Sequence, residues 1–101
     1  MNKDELIQLH QLLIYLRKYI QKKYNIDDSE FKEYDDLHIY PHHIHKTKID
    51  HIYVIFILSE IIARILAERG EMPRSISYLL LNCSKKLEKE INRKRKIMER
   101  E

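Results

Sequence analysis

Histidines are the residues of this sequence whose type and spacing are best suited to chemistry. Of the six histidines, five lie between His38 and His51, and the sixth is His10. Neutral imidazole is the commonest side-chain ligand for zinc and related ions. If the first helical segment packs against the start of the third, His10, His45 and His51 could meet. The sequence therefore raises the hypothesis of a site for zinc or another transition metal, with water or a carboxylate as the fourth ligand.

The spacing of these candidate ligands does not by itself specify a metal. His45 and His51 are separated by five residues and match none of the compact zinc signatures, such as His-Glu-x-x-His on one helix. His10 fits equally well as a buried histidine whose ring is satisfied by a backbone carbonyl. A metal ligand and a core histidine are thus two open interpretations of the same residue.

The segment that follows the histidines also suits an anion. A helix is expected to begin near Thr47, and a helix N-terminus favours negative charge and disfavours a cation. The candidate set for phosphate or sulfate is His45, Lys46, Lys48 and His51. In that site the histidines would serve as hydrogen-bond donors. Asp50 could offset the local positive charge enough to tolerate a metal instead.

A basic run near the C-terminus raises a third hypothesis, a surface for nucleic acid. The run consists of Lys85, Lys86, Lys89 and residues 93–96, which read Arg-Lys-Arg-Lys. Four acidic residues interrupt it, namely Glu88, Glu90, Glu99 and Glu101. The formal net charge of the chain is only +3. Because charge-rich helix ends are ordinarily just solvated, the sequence favours a solvated face over a nucleic-acid interface.

No residue pattern points to catalysis. The sequence offers no acid pair, serine triad or glycine-rich phosphate loop. Cys83 lies on the apolar seam of a predicted helix, where a small core residue is favoured over a nucleophile. The spacing of Asp50 from Thr47 already gives that carboxylate a role as a helix cap. We therefore expect a protein that is not an enzyme.

Four helical segments would position these residues. The first is predicted from Lys3 to about Tyr24, because apolar residues recur there every three or four positions. These residues are Leu6, Leu9, Leu13, Leu16 and Ile20, with Leu12 and Tyr19 widening the stripe. The same register turns His10 toward the core side. A short second helix is predicted from Ser29 to Leu37, with Asp27 and Glu30 in capping-box spacing.

The third helix is predicted to follow a loop. Pro41 lacks an amide donor and excludes a helix from the segment around it. Thr47 and Asp50 have the spacing of a helix cap, so the helix should begin there, run to about Arg69 and close at Gly70.

This third helix is apolar nearly all round between Ile52 and Leu66. In so small a chain, one helix can be surrounded only partly by its own domain. We therefore expect a homo-oligomer, most simply a dimer, with the third helix at the interface.

The fourth helix is predicted to begin at Pro73, which suits a first helical turn. Its apolar seam consists of Ile76, Leu80, Cys83, Leu87 and Ile91. Beyond this seam, residues 92–101 are almost entirely charged. These last turns are expected to project into solvent or to fray.

Length and composition place the segments in one all-α domain, residues 1–101, built as a bundle of about four helices. A single Gly and two Pro leave little material for the turns of many strands. Cys83 has no partner for a disulfide and no signal pattern opens the chain, so the cytoplasm is expected. The apolar stretch from Ile52 to Leu66 contains Glu60 and Arg64 and is shorter than the roughly 20 residues of a membrane span.

Two segments resemble a known family. They are Glu5-Leu-Ile-Gln-Leu-His-Gln-Leu-Leu13 and Pro41-His-His-Ile-His-Lys-Thr-Lys-Ile-Asp-His51. Together they resemble the archaeal uncharacterised protein family 0058, over roughly residues 3–66. Thr47 stands where the family tends to have Ser, and it keeps the capping hydroxyl. The resemblance implies a short helical protein with His10, His45 and His51 as the candidate ligands, sets His42 and His43 aside as local decoration, and brings no established activity.

Overall fold

The bounds of the helices come from a computed structural model, which describes the backbone of residues 1–100 and the side chains of residues 1–93. The helices are α1 (Lys3–Tyr24), α2 (Lys32–Asp35), α3 (Lys48–Glu68) and α4 (Arg74–Arg100), and a 3-10 turn (Asp28–Phe31) precedes α2. Residues 1–100 contain no strand. The predicted all-α bundle of about four helices is therefore confirmed. The predicted fraying of residues 92–101 falls mostly outside the described side chains and stays a prediction.

Helix α1 begins at a reciprocal cap that the sequence interpretation missed. The Asn2 side chain accepts a hydrogen bond from the Glu5 backbone N–H at 2.9 Å, and the Glu5 carboxylate accepts one from the Asn2 N–H at 3.1 Å. Such a capping box satisfies two amides that the first helical turn leaves without partners. At the other end Asn25 adopts a left-handed conformation with φ 54°, which closes the helix.

Helix α3 begins and ends where the sequence predicts. The Thr47 hydroxyl accepts from the Asp50 N–H, and the Asp50 carboxylate accepts from the Thr47 N–H, both at 3.1 Å. Gly70 follows the helix with φ +73°, a conformation that a side chain would strain. The N–H of Glu71 then donates to the carbonyl of Leu66 at 2.9 Å, which satisfies a carbonyl of the last turn.

The second helical segment is shorter and tighter than predicted. Instead of one helix from Ser29 to Leu37, a 3-10 turn leads into a single α-helical turn. The Asp27 carboxylate accepts from the Ser29 N–H at 2.6 Å, only two residues away, so the predicted capping box with Glu30 does not form. His38, with φ 52°, then turns the chain into the loop.

Helix α3 is the central element of the fold. It packs against α1 on one side and against α4 on another, while α1 and α4 do not touch within the described part of the chain. The buried core consists of Ile20, Phe31, Tyr34, Val54, Leu58, Ile61, Ile62 and Ile65. None of the exposed large apolar side chains among residues 1–93 lies on α3. The packing of α3 within one chain accounts for much of its apolar surface, and the expected dimer interface on α3 stays a prediction.

Helix α4 packs on α3 through small residues that the predicted seam did not include. Ser77 and Ser84 are buried, seven residues apart on one face. The Ser84 hydroxyl donates to the carbonyl of Leu81 at 2.8 Å, so its burial leaves no unpaired group. Ile76, the first residue of the predicted seam, is 41% exposed. None of the helices, over the residues described, is long and apolar enough to cross a membrane.

Candidate functional site

The packing of α1 against α3 brings two of the predicted ligands together. His10 comes from the middle of α1 and His51 from the first turns of α3. Their ring centroids lie 5.8 Å apart, with 67° between the ring planes. Both side chains are 0% exposed. The packing of α1 against the start of α3, on which the metal hypothesis depends, is therefore present for His10 and His51.

The loop fixes the orientation of His51. Its Nε2 lies 3.0 Å from the backbone carbonyl oxygen of His43. Because a carbonyl only accepts, Nε2 of His51 must carry a proton. In the neutral ring the other nitrogen, Nδ1, then carries a free lone pair. This Nδ1 is buried and has no hydrogen-bond partner among the described residues.

The Tyr34 hydroxyl on α2 fixes the orientation of the His10 ring, as the His43 carbonyl does for His51. The Tyr34 hydroxyl lies 2.5 Å from Nε2 of His10, and the two rings meet edge to face with 5.7 Å between centroids. Burial, followed by the neighbouring His51, lowers the pKa of His10 to about 4, so its ring is neutral at physiological pH. Burial raises the pKa of the Tyr34 hydroxyl, which keeps its proton. Nδ1 of His10 is also buried without a partner.

The tautomer of His10 decides whether the two unpartnered nitrogens are chemically complementary. If the Tyr34 hydroxyl donates to Nε2 of His10, then Nδ1 of His10 is an N–H donor, whereas Nδ1 of His51 is an acceptor. Each buried polar atom left unpaired costs about 1–3 kcal/mol. If instead His10 donates from Nε2 to the Tyr34 oxygen, both Nδ1 atoms carry lone pairs. The first arrangement suits a bridging water, and the second suits a metal ion.

An ion pair holds Tyr34 against α1. Arg17 on α1 donates from both terminal nitrogens to the Asp35 carboxylate, at 2.6 and 3.0 Å. Its guanidinium also lies 4.3 Å from the centre of the Phe31 ring. Because Asp35 follows Tyr34 directly, this two-point contact fixes the turn that carries the Tyr34 hydroxyl.

His45 does not join the buried pair. It is exposed, in the turn that leads into the cap at Thr47. In the part of the chain that the structure describes, no group of three or more His, Cys, Asp or Glu side chains could hold a metal ion. The predicted set of His10, His45 and His51 is thus assembled only in part. His45 stays apart because it lies in a turn that ends at Thr47. A hydrogen bond from the Lys46 N–H to the His43 carbonyl, at 3.1 Å, holds the backbone of this turn.

The sequence interpretation missed the roles of two residues, His43 and Tyr34. His43 was set aside as decoration, yet its carbonyl accepts from His51, and its Nδ1 accepts from the Tyr40 N–H at 3.1 Å. Tyr34 was not among the predicted site residues. A signal was available, because an inward-facing tyrosine needs a partner for its hydroxyl.

The four residues proposed for an anion do not share one surface. Lys46, Lys48 and His45 are exposed, whereas the ring of His51 is buried. Asp50 acts as the cap partner of Thr47, as its spacing predicts. Its carboxylate stands at the start of α3, where an anion would otherwise bind, and opposes a second negative charge there.

The basic residues of α4 remain separate from the histidines. Lys85, Lys86, Lys89 and Arg93 are exposed, and the exposed Glu88 and Glu90 lie among them. The rest of the predicted run, residues 94–96, lies outside the described side chains. Cys83 is a free, half-buried thiol, in line with its predicted place on the seam.

Glu60 is a buried acid that sequence reasoning did not identify as a special site. It lies on α3 and is 3% exposed. Burial raises the pKa of this carboxyl, and Arg64 opposes the rise from 3.7 Å. Arg64 and Ser77 of α4 line the same cleft beside Glu60.

Comparisons with known proteins place the chain among small archaeal proteins. The model of "Uncharacterised protein family UPF0058" matches residues 1–94. A UPF0058 protein of Methanocaldococcus jannaschii is 70% identical, over 94% of this chain and 92% of the relative. One from Methanothermobacter thermautotrophicus is 46% identical, over 90% of each chain. A second protein from M. jannaschii is 34% identical, over 79% of this chain and 73% of the relative. No solved structure matches.

Proposed function

The chain belongs to the uncharacterised protein family UPF0058, so its function has to be argued from its own residues. We propose that it is a non-catalytic cytoplasmic protein that binds a transition-metal ion, of the zinc class, between His10 and His51. One observation carries the proposal: two adjacent, fully buried imidazoles each have an Nδ1 atom without a partner.

The surroundings of both rings suit metal ligation. A ligating histidine usually donates its second ring N–H to a carbonyl or another acceptor, which fixes the ring and raises its basicity. Nε2 of His51 makes that contact with the His43 carbonyl, and Nε2 of His10 can make it with the Tyr34 oxygen. The lowered pKa of His10 means that protons do not compete with a metal for this ring at neutral pH.

Two imidazoles leave the coordination shell incomplete. Zinc in proteins takes four ligands in structural sites and three protein ligands plus water in catalytic ones. An ion held by His10 and His51 would complete its shell with water or a small anion. We therefore expect weaker binding than at a four-ligand site, and ions that favour imidazole, such as zinc, copper and nickel, as the ones retained.

Burial supports a structural role for the ion. Both rings are 0% exposed, so a substrate has no direct access to them. Four clefts on the described surface are lined by other residues, around Asp27, Glu60, Asp50 and Lys32. A metal between α1 and α3 would instead link binding to folding.

Elemental analysis of untagged protein, purified without chelator and then reloaded with zinc, copper or nickel at neutral pH, tests the proposal. A tag would add false histidines. Near-stoichiometric metal in the parent, lost in His51→Gln and His10→Gln, is the expected result. The exposed His45→Ala is the matched control and should keep the metal. Loaded parent should also melt at a higher temperature than the apo protein.

Two results would overturn the proposal. The parent would bind no metal after reloading, or the metal would be lost equally in His45→Ala, which would move the site to the exposed loop. Circular dichroism separates a lost ligand from a lost fold in the two glutamine variants. Imidazole ¹⁵N spectra of the parent give a second readout, because metal binding requires the lone-pair state at both Nδ1 atoms.

A further inference from the structure

Helix α1 carries an apolar stripe that the residues described in the structure leave exposed. Its four residues are Leu12, Tyr15, Leu16 and Tyr19, which are 61%, 60%, 39% and 62% exposed. Spacings of three, one and three residues place them on one face over two helical turns. His10 is buried on the opposite face, against α3, and Ile20, four residues after Leu16, is buried at the edge of the stripe. The stripe is therefore separate from the histidine pair, and it borders the core at Ile20.

The area of the stripe is that of an apolar patch that often has a function. At roughly 200 Å² for a large side chain, its exposed fractions amount to on the order of 450 Å² in each chain. The largest apolar patch on a typical monomer has about this size, and such a patch is often functional. Two copies would bury about 900 Å², somewhat less than the roughly 1,200 Å² of a small stable interface. The flanking polar residues must therefore take part as well.

The order of the residues fits a second copy of the same helix. Under a two-fold axis that relates antiparallel helices between positions 15 and 16, Leu12 of one copy faces Tyr19 of the other. The two Leu16 side chains meet near the axis, as do the two Tyr15 side chains. Such an arrangement is isologous, so one patch is complementary to itself.

The charges at the ends of α1 favour the same arrangement. The first turn carries Asp4 and Glu5, and the last turn carries Lys22 and Lys23. An antiparallel pair places the acidic end of one helix beside the basic end of its partner, and it also opposes the two helix dipoles. A parallel pair would place like charges together.

From the exposure, the order and the charges of this stripe, we propose that two copies of this chain dimerise through antiparallel α1 helices. The interface differs from the α3 surface that the sequence predicted, and it does not depend on whether His10 and His51 bind a metal. In this dimer, α3 packs against α1 and α4 of its own chain and takes no part in the interface.

Two leucines of almost equal exposure give a matched test. Leu12 on α1 is 61% exposed and Leu79 on α4 is 62% exposed. Light scattering after gel filtration should show a dimer for the parent and for Leu79→Glu, and a monomer for Leu12→Glu. Both variants should keep the helical circular dichroism of the parent, since each position faces solvent. A monomeric parent at tens of micromolar protein, or a dimer broken only by Leu79→Glu, would overturn the proposal.

Cross-linking distinguishes antiparallel from parallel pairing. In a Cys83→Ser background, Leu16→Cys should form a disulfide-linked dimer, because the two sulfurs lie near the axis. Leu12→Cys should not, because its two copies lie about 10 Å apart along the helix axis. Oxidation of both variants to dimers would indicate a parallel pair, and oxidation of neither would exclude contact along this stripe.

Discussion

The Tyr34 hydroxyl lies 2.5 Å from Nε2 of His10, and both side chains are buried between α1, α2 and α3. This contact joins the short second helical segment to the middle of α1. The direction of this hydrogen bond decides which tautomer His10 adopts, and thereby whether its unpartnered Nδ1 donates or accepts. The stability of this region and the binding chemistry of the histidine pair thus depend on the Tyr34 hydroxyl.

Removing that phenol should destabilise the fold. Tyr34→Phe keeps the ring but leaves Nε2 of His10 unpaired, and a buried polar atom without a partner costs about 1–3 kcal/mol. Urea unfolding followed by circular dichroism measures the loss. Tyr78→Phe is the control, because Tyr78 is 59% exposed and its hydroxyl can bond to water. Equal stability of Tyr34→Phe and the parent would show that the contact contributes nothing.

The buried His10 should make the protein less stable in mild acid. Its pKa in the folded state is about 4, against 6.5 in the unfolded chain. Between these values the unfolded state takes up a proton that the folded state refuses, so stability falls as pH drops from 6.5 toward 4. The full difference is about 3 kcal/mol at 1.36 kcal/mol per pH unit.

Imidazole NMR and unfolding at several pH values check this dependence. The His10 ring should stay neutral at pH 5.5, and a folded His10→Gln variant should lose part of the slope between pH 6.5 and 5. A His10 ring that titrates near pH 6.5 in the native protein would contradict the expectation.

The pH dependence that Glu60 gives to the stability should have the opposite sign to that of His10. Burial raises its pKa above the ordinary value, with Arg64 opposing the rise. The folded state therefore binds this proton more tightly than the unfolded state, so its contribution to stability grows as pH falls toward 4.5. Glu60→Gln should be more stable than the parent at pH 7.5, with a gap that narrows at pH 5. Urea unfolding at both values measures the gap, and a variant that is less stable at pH 7.5 would show that the ion pair with Arg64 dominates.

The cap at Thr47 should contribute measurably to stability. Thr47→Ala removes the hydroxyl that accepts from the Asp50 N–H, at an expected cost of about 1 kcal/mol. Thr47→Ser retains the acceptor and serves as the control. Thermal unfolding should rank the parent and Thr47→Ser together, above Thr47→Ala. If all three melt at the same temperature, the cap has no energetic role.

The exposed lysines of α4 should behave as a solvated face. Because Glu88 and Glu90 lie among Lys85, Lys86 and Lys89, we expect no retention of duplex DNA or RNA at 50 mM salt. Gel retardation at increasing salt measures this. Tight binding that falls steeply with salt would instead support the nucleic-acid interpretation.

The sequence by itself determined where the main helices lie. Apolar residues at helical spacing place α1 and α3, Thr47 and Asp50 start α3, and Gly70 ends it, because caps and periodicity are local properties. The register of Leu6 turns His10 inward for the same reason. The second segment was less predictable, since its 3-10 turn depends on Asp27 bonding two residues ahead rather than three.

The tertiary structure alone decided which side chains meet. His51 pairs with His10, and His45 stays in solvent, because α1 crosses α3 at one particular position. Helix α3 packs between α1 and α4 of the same chain, and this packing leaves Leu12 and Tyr19 of α1 exposed. Distances across a chain depend on how helices pack, and periodicity in one helix carries no information about its neighbour.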